Sequence, residues 1–328
     1  FYKEYKILRE KTFSNLLIIN QEKYGEDKDT LLGLVQTFLD RIIFCWFCED
    51  SREQLLPSNI LSTEIIENAK KSKYYNNEGF NIWGEVKELF NAINVGGNFN
   101  ISQGFNGGLF EENSLLNELK IPNKIFEDVS EIGRKYDFGN DNEVNVNILG
   151  HIFEQSIADL EEMRASFEGN ELDKSKSKRK KEGVYYTPEY VTAYIVENTI
   201  GAWLDNKYKE VEIKNAQRKK GKQKAILTEF RDEYLSKIRI LDPACGSGAF
   251  LLAAFNYLWA RHQSVYNELK ILKLKDGEFY QWDEVEKTIL ENNLFGVDIN
   301  PESVEITKLS LWLKTACKNK KLNNLDKN

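Results

Sequence analysis

The sequence predicts an α/β protein in which a mainly helical N-terminal domain precedes the first part of a doubly wound parallel sheet. Apolar residues recur at helical spacing through the first half of the chain. A strand–glycine turn–helix pattern then follows near residues 238–259, and a strand–acid–helix pattern follows near residues 294–316. In sheets built from such units, ligands bind at the carboxyl ends of the strands.

The first region, residues 1–169, is predicted to be a helical domain. Leu31–Phe47 is almost wholly apolar and is expected to form a buried helix. Asn81–Ile93 and Val144–Met163 place apolar residues at helical spacing. Gly96–Gly108 has loop composition, and no Lys-Ser or Lys-Thr follows its glycines, so it does not match a phosphate-binding loop.

Composition places the chain among ordinary globular proteins. It has 328 residues, 41% of them hydrophobic and 30% charged, with a net charge of −7. No uncharged apolar run approaches the roughly eighteen residues of a membrane span, and no signal peptide begins the chain. We therefore expect a cytoplasmic location and no membrane partner. Because the chain begins with Phe1 rather than Met, we also expect a fragment or a processed product.

Cysteine and histidine are too sparse to predict a disulfide framework or a metal site. The chain has four cysteines and two histidines. Cys45 and Cys48 lie in the apolar Leu31–Phe47 stretch, so core packing is favoured over a redox pair. His151 and His262 are expected to be ordinary helix residues. No metal is predicted.

Two segments concentrate basic charge. Residues 170–182 lack large apolar side chains and are predicted to be a linker or mobile loop, and Lys174–Lys181 within it is strongly basic. Lys214–Lys224 is the second basic segment. Both are interpreted either as solvated loops or as phosphate contacts, and the sequence leaves the two alternatives open.

Residues 183–328 are predicted to form a partial ligand-binding domain. It begins with Thr187 as the N-cap and Pro188 as the first residue of a helix. The apolar face of that helix is predicted at Tyr190, Val191, Tyr194, Ile195 and Ile200.

Two strands and two helices follow in this domain. The strands are predicted at Ile238–Leu241 and Leu294–Val297, and the helices at Ala249–Trp259 and from Pro301 to about Ala316. Asp242 and Asp298 follow the two strands, which places both carboxylates at the binding edge of the sheet. Asn300 is expected to cap the last helix.

Small residues in the glycine turn allow a ligand to approach the backbone. Ala244, Gly246 and Gly248 recur at alternate positions, and the following helix directs its N–H groups at the ligand. Leu251 replaces the third glycine of a dinucleotide fingerprint and would crowd the helix against the strand. Asp242 would repel a pyrophosphate but attract the amino group of a methionine moiety.

The second acidic residue extends this interpretation to an adenosine. Asp298 is expected to accept hydrogen bonds from both ribose hydroxyls, and Ile299 to offer an apolar surface to an adenine ring. A ligand with an amino-acid cation at one end and an adenosine at the other is S-adenosylmethionine. Asp298 lies 56 positions after Asp242, which is longer than in a compact nucleotide unit, so residues 261–291 are expected to hold additional helix or loop.

The motif strings resemble those of a known family. Asp242–Phe250 (Asp-Pro-Ala-Cys-Gly-Ser-Gly-Ala-Phe) resembles the first cofactor motif of N6-adenine DNA methyltransferases, and Gly296–Asn300 resembles the second. Gly183–Pro188 resembles the segment that precedes them in one subgroup. The resemblance implies a Rossmann-like S-adenosylmethionine-binding sheet. It also implies that Tyr186 and Thr187 close over the methionine end of the cofactor.

The helical region resembles the connector of type IIG-like restriction–modification enzymes, a layout that phage-defence methyltransferases share. The segments that carry this resemblance are Asp40–Phe44, Cys48–Asp50, Phe105–Phe110 and Leu149–Glu154. It implies a site-specific adenine-N6 methyltransferase whose partner, in the parent protein, is double-stranded DNA. The oligomeric state is not predicted.

The family's Asn/Asp-Pro-Pro-Tyr/Phe motif, which binds the flipped adenine, is missing. None of the five prolines is adjacent to another. We therefore expect a fragment that lacks catalytic residues and is inactive alone. Two alternatives are a methyltransferase acting on RNA, protein or a small molecule, and a non-catalytic interaction module. Glu-x-Lys units typical of nucleases occur at Glu4, Glu85 and Glu212, but chance explains them in so charged a chain.

Overall fold

The computed structural model describes residues 1–51, 55–73, 75–76, 79–101, 104, 109–139, 156, 159–167, 187–272, 282–315 and 325. The chain divides into two compact units. The helical unit comprises Phe1–Gly183 and Trp312–Leu322, and the α/β unit comprises Val184–Leu311 and Asn323–Asn328. The domain bounds inferred from the sequence stay predictions, and the 170–182 segment lies outside the described residues.

The described part of the helical unit consists mainly of α-helices. Its helices are Tyr2–Ile19, Gln21–Tyr24, Lys28–Asp50, Ile65–Lys70, Asn81–Val95, Ser114–Glu118 and Asn123–Lys135, with a π-helical turn at Ile60–Glu64 and further helix at 159–167. Side chains cap the N-termini of two of these helices. The Asp27 carboxylate accepts the Thr30 N–H at 3.2 Å, and the Asn113 side chain accepts the Leu116 N–H at 3.0 Å.

Lys28–Asp50 is the central helix of this unit, which confirms the buried helix predicted at Leu31–Phe47. By length and composition it is the one described helix that could cross a membrane, but most of its apolar stretch is buried inside the protein. Cys45 and Cys48 are fully buried within it and are free thiols. Burial raises the pKa of both thiols well above the ordinary value, so neither is an activated nucleophile.

Two segments of the connector resemblance meet in this unit. Arg41 donates from Nε to the Leu109 carbonyl at 2.9 Å and from Nη2 to the Glu111 carbonyl at 2.7 Å. Its guanidinium also lies over the rings of Phe90 and Phe110, each 5.5 Å from the ring centroid. Arg41 therefore fastens the chain segment after the glycine-rich loop to the central helix.

The other elements predicted for this half are confirmed where they are described. The helix Asn81–Val95 matches the prediction and ends at Gly96, which has a φ of 86°. Positive φ angles continue at Gly97, Phe99 and Asn100, as loop composition predicts. Of the predicted Val144–Met163 helix, only residues 156 and 159–163 are described, and these are helical. His151 and Leu149–Glu154 lie outside the described residues.

The α/β unit places a small sheet among helices. Its strands are β1, Ile240–Asp242, and β2, Leu294–Gly296. Its α-helices are Glu189–Val196, Ala202–Lys214, Lys222–Phe230, Ala249–Ile271, Trp282–Thr288 and Pro301–Thr315. Its π-helical turns are Glu197–Gly201, Arg231–Leu235 and Ile289–Asn293. We call Ala249–Ile271 the motif helix. The described sheet is two-stranded and parallel, with Asp242 paired to Gly296. An α/β unit after a helical one is thus observed, whereas the larger Rossmann-like sheet stays a proposal.

The start of this unit differs from the prediction. The Pro188 carbonyl accepts the N–H groups of Val191 and Thr192, at 2.9 and 3.2 Å, and Pro188 has an extended ψ of 145°. Pro188 is therefore the N-cap and Glu189 the first helical residue. The expectation that Thr187 caps this helix was wrong, because no side chain caps it within the described residues.

The apolar face predicted for this helix was also wrong. Tyr190 and Tyr194 are 77% and 67% exposed, whereas Thr192 and Val196 are buried. Two residues correspond to about 200° of rotation around a helix, so the stripe that packs is almost opposite the predicted one. At Gly201, just after this helix, the chain lies close to the motif helix. A Cβ at Gly201 would lie 2.6 Å from the hydroxyl oxygen of Tyr257 in that helix.

Candidate functional site at the ends of the two strands

The turn Pro243–Gly248 leaves β1 and enters the motif helix through backbone shapes that favour glycine. Gly246 and Gly248 have φ angles of 54° and 84°, in the left-handed region. The Gly248 N–H donates to the Cys245 carbonyl, and the Leu252 N–H donates to the Gly248 carbonyl, both at 2.8 Å. No described side chain caps this helix start. Its first N–H groups are therefore available to an electron-rich ligand atom.

Asp242 ends β1 with one carboxylate oxygen satisfied and one open. Oδ1 accepts the Ala244 N–H at 3.2 Å, while Oδ2 is buried without a hydrogen-bond partner among the described residues. Burial raises the pKa of Asp242, and the nearby Asp298 carboxylate adds to this effect. A buried carboxylate oxygen without a partner is costly, so a cationic or hydrogen-bond-donating ligand would relieve that cost.

Asp298 follows β2 and connects the two motif segments. Its Oδ2 accepts the Gly246 N–H at 2.9 Å, and its Oδ1 accepts the Asn300 N–H at 2.8 Å. Each carboxylate oxygen can accept a further hydrogen bond, so Asp298 is oriented by backbone donors and still able to accept from a ligand. The expected cap at the next helix is confirmed, because Asn300 accepts the Ser303 N–H at 3.1 Å.

Further hydrogen bonds join the turn to the β2 side. The Val297 N–H donates to the Asp242 carbonyl, and the Cys245 N–H donates to the Val297 carbonyl, both at 2.9 Å. The Thr307 hydroxyl donates to the Gly246 carbonyl at 2.8 Å. A Cβ at Gly248 would lie 2.9 Å from Thr307 Cγ2. Sequence reasoning missed Thr307, since a threonine inside a helix carries no signal of such a contact.

Leu251 fits without the crowding that the sequence led us to expect. A Cβ at Gly296 of β2 would lie 2.8 Å from Leu251 Cδ1 and 3.2 Å from Cys245 Sγ. The missing side chain of Gly296 on β2 therefore leaves space for Leu251, which a glycine at position 251 of the helix would not have needed. Burial raises the pKa of the Cys245 thiol to about 11, so it packs here as a neutral group.

The remaining predicted site residues are less closely tied to the turn. Ile299 is 79% exposed and adjoins Asp298. Thr187 is partly buried at the start of the helix that packs on the motif helix, and no described hydrogen bond joins it to the glycine turn. Tyr186 lies outside the described residues. The structure thus brings together Asp242, Ala244, Gly246, Gly248 and Asp298.

No group of His, Cys, Asp and Glu among the described residues could hold a metal ion. His262 lies buried in the motif helix, and burial lowers its pKa to about 4. It is therefore neutral at physiological pH.

Comparison with protein families finds a match for the part of the chain that contains this site. Residues 213–328 match the family described as the DNA-methyltransferase domain of MmeI. This region is similar to that family. The match includes both strands, the glycine turn, Asp242 and Asp298.

Individual relatives agree with this match. A putative type II restriction enzyme and methyltransferase of Methanocaldococcus jannaschii is 33% identical over 313 residues, which is 84% of this chain and 24% of the relative. The adenine-specific methyltransferase BrxX of Escherichia coli O9:H4 is 30% identical over 138 residues, 39% of this chain and 10% of the relative. The adenine-specific methyltransferase PglX of Lacticaseibacillus casei is 28% identical over 150 residues, 42% of this chain and 11% of the relative.

These matches confirm the resemblance to adenine-specific and restriction-linked methyltransferases that the motif strings predicted. The chain spans about a quarter of the archaeal relative and about a tenth of the two bacterial ones.

Proposed function

We propose that this chain forms the cofactor-binding part of an S-adenosylmethionine-dependent, site-specific DNA adenine-N6 methyltransferase of a restriction–modification or phage-defence system. Its DNA partner is double-stranded, and its location is the cytoplasm, where such DNA lies. The unpartnered Oδ2 of Asp242, buried at the end of β1 beside the glycine turn, carries the proposal. A ligand that brings a cation to this oxygen fits it, and the methionine end of S-adenosylmethionine does so.

Each site residue has a distinct part in holding the cofactor. Asp242 binds the methionine amino group, and Gly246 and Gly248 leave the backbone open to close approach. Asp298, already oriented by two backbone N–H groups, accepts hydrogen bonds from the ribose hydroxyls. The exposed side chain of Ile299 covers one face of the adenine ring.

Two further residues complete the proposed site. Thr187 and Tyr186 close over the methionine end, as the family resemblance implies. Ala244 contributes its N–H to Asp242 and so fixes which carboxylate oxygen remains open.

When bound, S-adenosylmethionine supplies an electrophilic methyl group on a sulfonium, which is the group transferred to an adenine amino nitrogen. The residues that bind the adenine are not in this sequence, because no Pro-Pro pair occurs among its five prolines. This chain therefore holds and orients the cofactor, and positioning relative to the adenine requires other parts of the longer protein. By itself the chain is proposed to be catalytically inactive.

Calorimetric titration of the chain with S-adenosylhomocysteine tests the proposal. We expect measurable binding that weakens at least tenfold in Asp242→Asn, because the amide lacks the negative charge that pairs with the ligand ammonium; a loss of about 1.4 kcal/mol or more corresponds to that factor. Asp298→Ala is expected to weaken binding similarly through loss of the ribose contacts.

The surface variant Asp232→Asn is the matched control, because Asp232 is exposed and pairs only with its neighbour Arg231 in the described structure. Its affinity should equal that of the wild type. Equal affinities for the wild type, Asp242→Asn and Asp298→Ala would refute the proposed site. If the methyl acceptor is not adenine, the cofactor affinities will still be as expected. In that case the longer protein will not methylate adenine in DNA.

A further inference from the structure

The turn between two helices of the α/β unit concentrates positive charge. Six of the eleven residues from 214 to 224 are Lys or Arg, and none is acidic, in a chain whose net charge is −7. We call residues 214–224 the basic hairpin. It joins the helix Ala202–Lys214 to the helix Lys222–Phe230. This charge is therefore a local feature with no counterpart in the overall composition.

The hairpin holds its cations outward in an ordered turn. Residues 218–222 are all exposed. Gly221 takes a left-handed φ of 61°, the Arg218 N–H donates to the Asn215 carbonyl at 3.0 Å, and Arg218 Nε donates to the Lys220 carbonyl at 3.2 Å. Because the turn is bonded in this way, less conformational entropy is lost when its side chains meet a partner.

The base of the hairpin is anchored, while its tip is left unpaired. Lys214 and Asn215 both bond to the Glu229 carboxylate. On the motif helix, Arg261 pairs with Asp205 at 2.9 Å and lies over the Phe230 ring. In contrast, the tip residues Lys219, Lys220 and Lys222 make no ion pair with any described residue. The unit that carries the glycine turn thus presents three uncompensated ammonium groups.

A second Lys-Lys-x-Lys sequence in the chain provides a comparison. Lys70, Lys71 and Lys73 have the same spacing and are also exposed. Their surroundings are acidic, however: Glu64 and Glu67 precede them in the sequence, and Lys70 pairs with Glu127 at 3.5 Å. Glu210 and Glu212 also precede the basic hairpin in the sequence, but no described ion pair reaches Lys219, Lys220 or Lys222.

We propose that the basic hairpin binds the phosphate backbone of duplex DNA. The inference rests on the proposed function only in taking DNA as the partner. Residues 214–225 contain no apolar side chain larger than alanine, so they lack the groups that insert into a membrane surface. Exposed lysines that contact phosphates add affinity without sequence preference and make binding strongly dependent on salt.

The test is fluorescence anisotropy of a labelled mixed-sequence duplex titrated with the 328-residue chain, between about 50 and 200 mM salt. In the triple variant Lys219→Gln, Lys220→Gln, Lys222→Gln, we expect the slope of log affinity against log salt to fall by about 3, one for each lost phosphate contact. The matched variant Lys70→Gln, Lys71→Gln, Lys73→Gln should keep the wild-type slope.

Three results would overturn the proposal: no duplex binding by the wild type at the lowest salt, equal slopes for the two triple variants, or stronger binding to phosphatidylserine vesicles than to DNA. Calorimetry with S-adenosylhomocysteine on the hairpin variant separates this proposal from the cofactor site. Unchanged cofactor binding with a reduced salt slope supports the hairpin. If the wild type binds no cofactor but the slope still falls, the proposed function fails while the DNA surface stands.

Discussion

In the helical unit, the Arg9 guanidinium is fully buried and donates to Asp159 at 2.8 Å and to Ser156, whereas in the α/β unit Asp242 keeps one buried oxygen without a described partner. Asp159 also accepts from Tyr2 and from Lys6. Its charge is thus surrounded by donors from one helix. Among the described residues, the Asp242 carboxylate has one donor, the N–H of Ala244.

The difference separates charges that hold the fold from a charge that is available for binding. A buried ion pair with several hydrogen bonds is destabilised strongly when one partner is removed. A buried carboxylate that lacks a partner already carries a cost in the free protein, and a ligand can recover that cost. Perturbed carboxyl groups at strand ends are accordingly candidates for functional sites.

The largest effect is expected at the partnered charge. Asp159→Ala should lower the free energy of unfolding by about 3–5 kcal/mol, because it leaves the Arg9 charge buried without its carboxylate. Asp242→Asn should change it by less than about 1 kcal/mol, or raise it, because the variant removes a charge that burial disfavours. Urea unfolding followed by circular dichroism measures both, and hydrogen–deuterium exchange assigns each transition to its unit.

Lys23→Gln is the control for this comparison, since Lys23 pairs with Glu118 at the exposed surface and such pairs contribute little. Its stability should match the wild type within about 0.5 kcal/mol. The contrast between the two units fails if Asp242→Asn is as destabilising as Asp159→Ala.

A second prediction concerns pH and the buried Glu49 of the helical unit. Burial raises the pKa of Glu49 to about 7 from an ordinary 4.5, although its carboxylate accepts the N–H groups of Leu61 and Ser62. The folded protein therefore keeps a proton that the unfolded chain loses. The stabilisation from this group is full below about pH 4.5 and is lost as the pH rises through about 7.

Glu49→Gln should remove that part of the pH dependence, so that the difference in unfolding free energy between pH 5 and pH 7.5 shrinks by roughly 2 kcal/mol. Urea unfolding at the two pH values measures it. The exposed Glu22→Gln should retain the wild-type dependence. An unaltered pH dependence in Glu49→Gln would show that another group titrates.

The smallest expected effect is at Thr307. Thr307→Val keeps the shape of the side chain but removes the hydrogen bond to the Gly246 carbonyl, at a cost of about 1 kcal/mol in stability. Because that bond holds the glycine turn, affinity for S-adenosylhomocysteine should fall several-fold. Thr228→Val, on a partly buried position of the helix Lys222–Phe230, is the control and should leave the affinity unchanged. A loss of stability with full affinity would limit Thr307 to a structural role.

Much of the local structure could be predicted because the relevant signals are local. Apolar spacing located the central helix Lys28–Asp50 and the helix Asn81–Val95. The motif helix and the Asn300 cap followed from the glycine turn and from Asn-Pro. The helix after Pro188 was located, but its buried face was not. Hydrophobicity alone did not reveal that Thr192 and Val196 are buried, or that Gly201 lies close to Tyr257 of the motif helix.

The residues of the site could be predicted from the sequence, but the hydrogen bonds between them could not. Asp242 and Asp298 were identified from their positions after two strands, 56 residues apart. That the Asp298 carboxylate accepts the Gly246 N–H, and that Thr307 holds the same glycine, depends on how the two strands pair. Pairing over such a distance is set by packing, which the local pattern does not encode.

By itself, the sequence determined the order of a helical region and an α/β region, the glycine turn, the acids at the strand ends and the absence of a Pro-Pro motif. Only the tertiary structure decided that Gly296 accommodates Leu251 and that Asp159 is surrounded by donors. It also decided that, among the described residues, one Asp242 oxygen lacks a partner and three lysines of the basic hairpin make no ion pair. The physical reason is that turns, caps and periodicity depend on neighbouring residues. Burial, charge compensation and close approach depend on residues that only folding brings together.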